Sequence, residues 1–62
     1  MMDAELMLYF DYEHLPEKLQ KVSKPFGELA KKLFEELPAC NQRTFALQML
    51  LVAKDAAVRA SL

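Results

Sequence analysis

Apolar positions divide the chain into three stretches, and the last of them, Asn41 to Leu62, carries apolar residues on two sides of a helix. At about 100° per residue, Phe45, Met49, Val52, Ala53, Ala56 and Ala60 form one wall. Leu47, Leu50, Leu51, Val58 and Leu62 form a second wall roughly opposite. Thr44, Gln48, Asp55 and Arg59 make a narrow polar strip between the two. A helix that is apolar nearly all round is a buried one. The rest of the chain, about forty residues, suffices to cover one wall, so the pattern predicts that the other is covered by a second copy of the same chain.

The middle stretch has a single apolar side. Leu15-Pro16-Glu17-Lys18 places a proline suited to a first helical turn beside a glutamate that favours the positive end of the helix dipole. Leu19, Val22, Phe26, Leu29, Leu33 and Leu37 then follow at spacings of three and four, which predicts an amphipathic helix over 16–37. Pro25 removes a backbone donor from its middle, and a kink or loosening over Lys21 to Pro25 is expected. Gly27, the only glycine, weakens the same place by about 1 kcal/mol relative to alanine. Pro38 stops this helix and Asn41 is a suitable N-cap for the next, predicted over 41–62. A connection this short predicts antiparallel packing, a helical hairpin. The first stretch, 1–14, holds Leu6-Met7-Leu8-Tyr9-Phe10-Asp11-Tyr12, read as a short helical or irregular arm that lays aromatic side chains across the hairpin. The expected fold class is therefore all-α, one small domain, with no strand signal or internal repeat.

Size sharpens the need for self-association. A chain of 62 residues buries only about 60% of its unfolded surface, and such chains rely on disulfides, a metal or oligomerisation. With Cys40 the only cysteine and His14 the only histidine, neither an internal disulfide nor a zinc site is available. A formal net charge of −1 argues against general affinity for duplex nucleic acid. Met1 to Phe10 carries Asp3 and Glu5 and no basic n-region, unlike a signal peptide. The longest apolar run, Met49 to Ala53, is far below the roughly 20 residues that span a bilayer. The expectation is a soluble protein of a reducing cytoplasm, with no membrane partner.

Catalytic chemistry is poorly represented. A hairpin keeps His14 and Cys40 apart, which reads them as a surface histidine and a small semi-buried thiol. Glu35 and Glu36 read as a solvated face, and a single glycine makes no phosphate-cradling loop. No enzyme and no cofactor is expected. A binding patch is the better candidate: Lys24 and Lys31 lie a heptad apart on one side of the middle helix, with Gln20 and Gly27 beside them. Glycine there permits a ligand or a neighbouring backbone to approach closely, and the lysines suit phosphate oxygens. The competing reading pairs these lysines with Glu17, Glu28 and Glu35 as solubilising charges. Lys54 lies amid Leu47, Leu50, Leu51 and Val58, where it either snorkels to water or meets an anion or an acidic partner at a subunit interface. Arg43 and Arg59 are similar cases, though Arg59 has Asp55 as an i,i+4 partner.

The order Tyr9-Phe10-Asp11-Tyr12, Lys24-Pro25-Phe26-Gly27-Glu28-Leu29-Ala30, a proline turn, Ala46 to Ala53 and the small-residue tail Ala56 to Ala60 resembles a bacteriophage family. These are the small hairpin sponges that sequester cyclic oligonucleotides and counter CBASS immunity, with a hairpin also seen in sponges against Thoeris. The resemblance runs over nearly the whole chain from Tyr9 onward and implies a helical homohexamer, a trimer of dimers, in the cytoplasm of the infected bacterial host. It implies that cyclic dinucleotides such as cyclic GMP-AMP are held between subunits without cleavage. It places base stacking on Tyr9, with Tyr12 as rival, and phosphate contact on Lys24 of the Lys-x-x-Gly stretch that ends at Gly27. Lys31, Arg43, Lys54 and Arg59 are the further candidates. The family's second, trinucleotide site would fall to Arg59, but Phe26 stands where a small hydroxyl is expected and Leu51 where an acid is often found, and both depart from that site. The alternative function is a helical oligomerisation or docking module that binds a host or phage protein through its second apolar wall.

Overall fold

The computed structural model describes residues 2–62. Those residues form three helices and no strand: α1 over Asp3–Leu8, α2 over Glu17–Glu36 and α3 over Asn41–Ala60. They fill a body of 34 × 17 × 17 Å. The arm thus resolves into a single short helix followed by a turn. Met2 holds an extended backbone before α1, and its carbonyl accepts from the Glu5 and Leu6 amides at 3.0 and 3.1 Å. Asp3 and Glu5 sit in the first turn, where carboxylates favour the exposed amides.

Pro16 stands one position earlier than predicted, as the cap of α2 and not within its first turn. Its extended backbone presents a carbonyl that accepts from Leu19 and Gln20, both at 2.9 Å. The Gln20 side chain then donates to the carbonyls of Glu13 and Leu15, tying the incoming turn to the helix. The expected loosening over Lys21 to Pro25 does not interrupt α2, which runs through Pro25 unbroken. Pro25 is on the exposed side, as is Lys21, so the carbonyl deprived of its donor is on the side where water is available.

The inward line of α2 also differs from the predicted stripe. It passes through Ser23 and Ala30, both with no exposed surface, a heptad apart. Leu29 and Leu37 of the predicted stripe are exposed. Small residues at the centre let neighbouring elements approach the α2 backbone, and Phe26, Leu33 and Phe34 pack on the flanks. The core is Leu6, Phe10, Ala30 and Leu47, with Met7, Leu50 and Leu51 also packed against it. Of the arm aromatics it is Phe10 that enters this core, while Tyr9 is exposed and Tyr12 half-buried.

Leu37 to Cys40 joins α2 to α3, and these two helices share the most extensive contact in the chain. The cap of α3 is Cys40, with Asn41 already helical, which corrects the N-cap expected at Asn41. Cys40 is extended and its carbonyl accepts from the Thr44 amide at 3.2 Å, with Thr44 Oγ1 3.3 Å away. Its thiol is exposed, where a semi-buried one was expected. At the far end the helix stops at Ala60, and the Ser61 hydroxyl donates to the Ala57 carbonyl at 3.0 Å.

The two walls of α3 meet different fates. Leu47 is fully buried, and Leu50, Leu51 and Val58 are half-buried. Phe45, Met49 and Val52 are 56%, 48% and 60% exposed, and Ala53, Ala56 and Ala60 beside them are exposed as well. Leu62, beyond the end of the helix, is 86% exposed, so one chain covers the second wall only as far as Val58. No helix is long and apolar enough to cross a membrane among the described residues.

Candidate functional site

Gly27 is the centre of the candidate site, and its lack of a side chain has a local explanation. A Cβ at this position would lie 3.0 Å from the Phe10 carbonyl oxygen and 3.2 Å from Tyr12 Cδ1. The turn after α1 therefore crosses α2 at Gly27, with the Tyr12 ring lying against the helix there. The close approach that glycine permits is used by the chain's own backbone.

This crossing opens onto a surface groove of about 430 Å³ whose lining includes Tyr12, Gly27, Lys31 and Lys32. Glu28, Glu35 and Glu36 complete the lining, so the acids outnumber the lysines by one. An aromatic face and two cations beside it suit a planar group carrying phosphate. The three carboxylates oppose an anion there, and Glu28 and Glu35 stand three and four residues from Lys31 on the same helix. No histidine, cysteine or serine belongs to the lining.

Among the residues expected to hold a ligand, the fold brings Tyr12, Gly27 and Lys31 together in this groove. Lys24 is exposed on α2 and does not line it. Tyr9 is also outside the groove: its side chain projects with 54% exposure. Its carbonyl accepts from Lys54 Nζ at 2.5 Å. Lys54 itself is 8% exposed, so its charge is spent at the C-terminal end of α1, where a cation complements the unpaired carbonyls. Arg59 is exposed on α3 and lines a separate hollow with Leu15, Lys54, Asp55 and Val58.

Arg43 belongs to a clasp between α1, α2 and α3 and not to the groove. Its Nε donates to Asp3 Oδ2 at 2.6 Å, and its Nη1 donates to the carbonyls of Phe34 and Leu37 at 3.0 and 3.1 Å. The guanidinium also lies over the Phe34 ring, 4.7 Å from its centre. Thr44 Oγ1 donates to the other oxygen of Asp3 at 2.6 Å. The Thr44 hydroxyl first, and Arg43 second, hold the Asp3 carboxyl below its ordinary value of 3.8. In the sequence Asp3 is legible only as an acid near the start and Thr44 only as part of a polar strip, not as partners. The two are 41 residues apart in the chain, and no local pattern carries their partnership.

Two polar groups outside these contacts stand out. Ser23 Oγ is buried with no hydrogen-bond partner. His14 is exposed on the turn before α2, in a hollow with Asp11, Tyr12 and Glu13. Among the described residues no group of His, Cys, Asp and Glu side chains is disposed to hold a metal ion.

No protein-family model, no curated protein and no solved structure matches this chain.

Proposed function

We propose that this protein sequesters a cyclic oligonucleotide, a cyclic dinucleotide of the cyclic GMP-AMP kind, without cleaving it. In this reading it is a bacteriophage protein acting in the cytoplasm of the infected bacterium, where it withdraws the signal of CBASS-type defence. Its working form is a helical hairpin of α2 and α3, crossed by α1, assembled as a homohexamer built from dimers. The observation that carries the reading is the groove in which Tyr12 lies against Gly27 beside Lys31. Tyr12 is the stacking residue and Lys31 the phosphate contact, in preference to Tyr9 and Lys24, which lie outside the groove. The surplus of carboxylates there is relieved when cations of a second chain, Lys24 among them, face the ligand. A pocket completed between subunits supplies walls that one small chain lacks.

Calorimetric titration of the purified protein with a panel of cyclic di- and trinucleotides tests this. Tight binding, with intact ligand recovered after denaturation, is the expected outcome. Tyr12→Ala and Lys31→Ala each weaken binding, the latter by about 2 kcal/mol for a lost charge-assisted contact, while Lys24→Ala has a smaller effect. Failure of every cyclic nucleotide to bind refutes the reading.

The uncovered wall of α3 favours a second reading, a docking module for a host or phage protein. It is distinguished by a chain that stays monomeric until a partner is added.

A further inference from the structure

The exposed wall of α3 has a direction. Its bulky members, Phe45, Met49 and Val52, occupy the N-terminal half, and its small members, Ala53, Ala56 and Ala60, occupy the C-terminal half. A helix face that tapers in this way is complementary to itself when reversed. We propose that two copies of the chain pair through this wall, with their α3 helices antiparallel about a two-fold axis beside Val52 and Ala53.

In that register Phe45 lies opposite Ala60 of the partner subunit, Met49 opposite Ala56 of the partner subunit, and Val52 opposite Ala53 of the partner subunit. Each large side chain meets a small one, and the two-fold repeats every contact. Such an interface is isologous and closed, and two copies satisfy it. The alanines let the helix axes come near the lower end of the usual 8–10 Å. A parallel pair instead sets Phe45 on Phe45 and Ala60 on Ala60, which wedges the helices apart at one end and leaves a gap at the other. Charges agree with the reversed register. Arg59 comes level with Ala46 of the partner subunit and Asp55 with Leu50 of the partner subunit, so no two like charges face each other.

The pairing rests on the self-assembly part of the proposed function and uses no residue of the Tyr12 groove. A monomeric mass overturns both. Failure of the register cross-links with cyclic nucleotides still bound overturns the pairing alone, and a paired protein that binds no cyclic nucleotide overturns the proposed function alone. It also accounts for a helix that offers an apolar wall to a chain too small to cover it.

Oxidative cross-linking in a Cys40→Ser background tests the register, since Cys40 is the only native thiol. Val52→Cys, close to the axis, is expected to link to itself. Phe45→Cys is expected not to, because fifteen residues separate it from its own register partner, a distance of about 22 Å along the helix. Phe45→Cys mixed with Ala60→Cys is expected to form the mixed dimer. Self-linking of Phe45→Cys as fast as that of Val52→Cys overturns the antiparallel register. Ala56→Glu places a charge on a residue exposed in the single chain, so it is expected to retain helical circular dichroism while weakening self-association at least a hundredfold. Sedimentation of the unaltered protein as a single 7.1 kDa chain, or an unchanged mass for helical Ala56→Glu, overturns the pairing itself. Should Ala56→Glu lose its helicity, the cross-links decide.

Discussion

Gly27→Ala sets two effects of opposite sign against each other. At an unhindered helix position alanine stabilises by about 1 kcal/mol, through a better helix propensity and a less free unfolded chain. At Gly27 the added Cβ arrives 3.0 Å from the Phe10 carbonyl oxygen, and 3.2 and 3.4 Å from the Tyr12 ring. The Tyr12 ring is half-buried and turns aside at little cost. The Phe10 oxygen is backbone, and Phe10 is 3% exposed in the core beside Leu6, Ala30 and Leu47. Retreat by a few tenths of an ångström drags that ring out of register with its neighbours. Inserting one methyl group into packed structure costs about 1–3 kcal/mol. The clash therefore wins, and a net loss of about 1 kcal/mol is expected, or about 4–8 °C in Tm for a domain of this size. Urea unfolding followed by circular dichroism reads the change, with protein concentration fixed because self-association adds to apparent stability. Repeating it in a Tyr12→Ala background separates the ring from the backbone: most of the loss should persist. A gain near 1 kcal/mol from Gly27→Ala refutes the reasoning, because the crossing of the arm would then impose no constraint on α2.

Ser23→Ala should stabilise by about 1 kcal/mol, since it removes a buried hydroxyl that has no partner; a loss in the same unfolding assay would mean that the hydroxyl is satisfied in solution. Lys54→Met keeps most of the buried stem and removes the bond to the Tyr9 carbonyl, for an expected loss of about 1 kcal/mol, with faster amide exchange at the end of α1 as its signature. As pH falls, Asp3 takes up a proton more readily in the unfolded chain than in the folded one. Because Thr44 and then Arg43 lower its pKa, the clasp contributes fully above the ordinary value of 3.8 and is lost as pH falls below it through the folded value. Asp3→Asn should flatten the stability profile in that acidic range, and an unchanged slope would remove Asp3 from the account.

The existence of α2 and α3 was legible from residue spacing alone, whereas the short α1 lies in a stretch that spacing left open between helix and irregular arm. The three-and-four rhythm from Leu19 onward and the two walls of α3 follow from the helical repeat, which is a local property of the backbone. So did the mismatch between a doubly apolar helix and the small remainder of the chain. Helix caps and the inward line of α2 were less legible. Whether Pro16, Cys40 or Asn41 bears the first accepting carbonyl of its helix depends on the angle at which the chain enters, and a stripe of leucines does not reveal that Ser23 and Ala30 lie beneath it. The candidate site was half legible: an aromatic arm, a glycine and lysines on one helix face were visible as types. Which tyrosine and which lysine share a groove was decided where the turn after α1 crosses Gly27. The same packing withdrew Arg43 and Lys54 into the chain's own clasps. Spacing along a sequence states which side of a helix a residue occupies, but a carboxylate at Asp3 reaches a guanidinium at Arg43 only after three helices have packed. Sequence therefore determined the helices and the excess of apolar surface, and tertiary structure decided which polar groups that packing consumes and which remain to meet a ligand or a second chain.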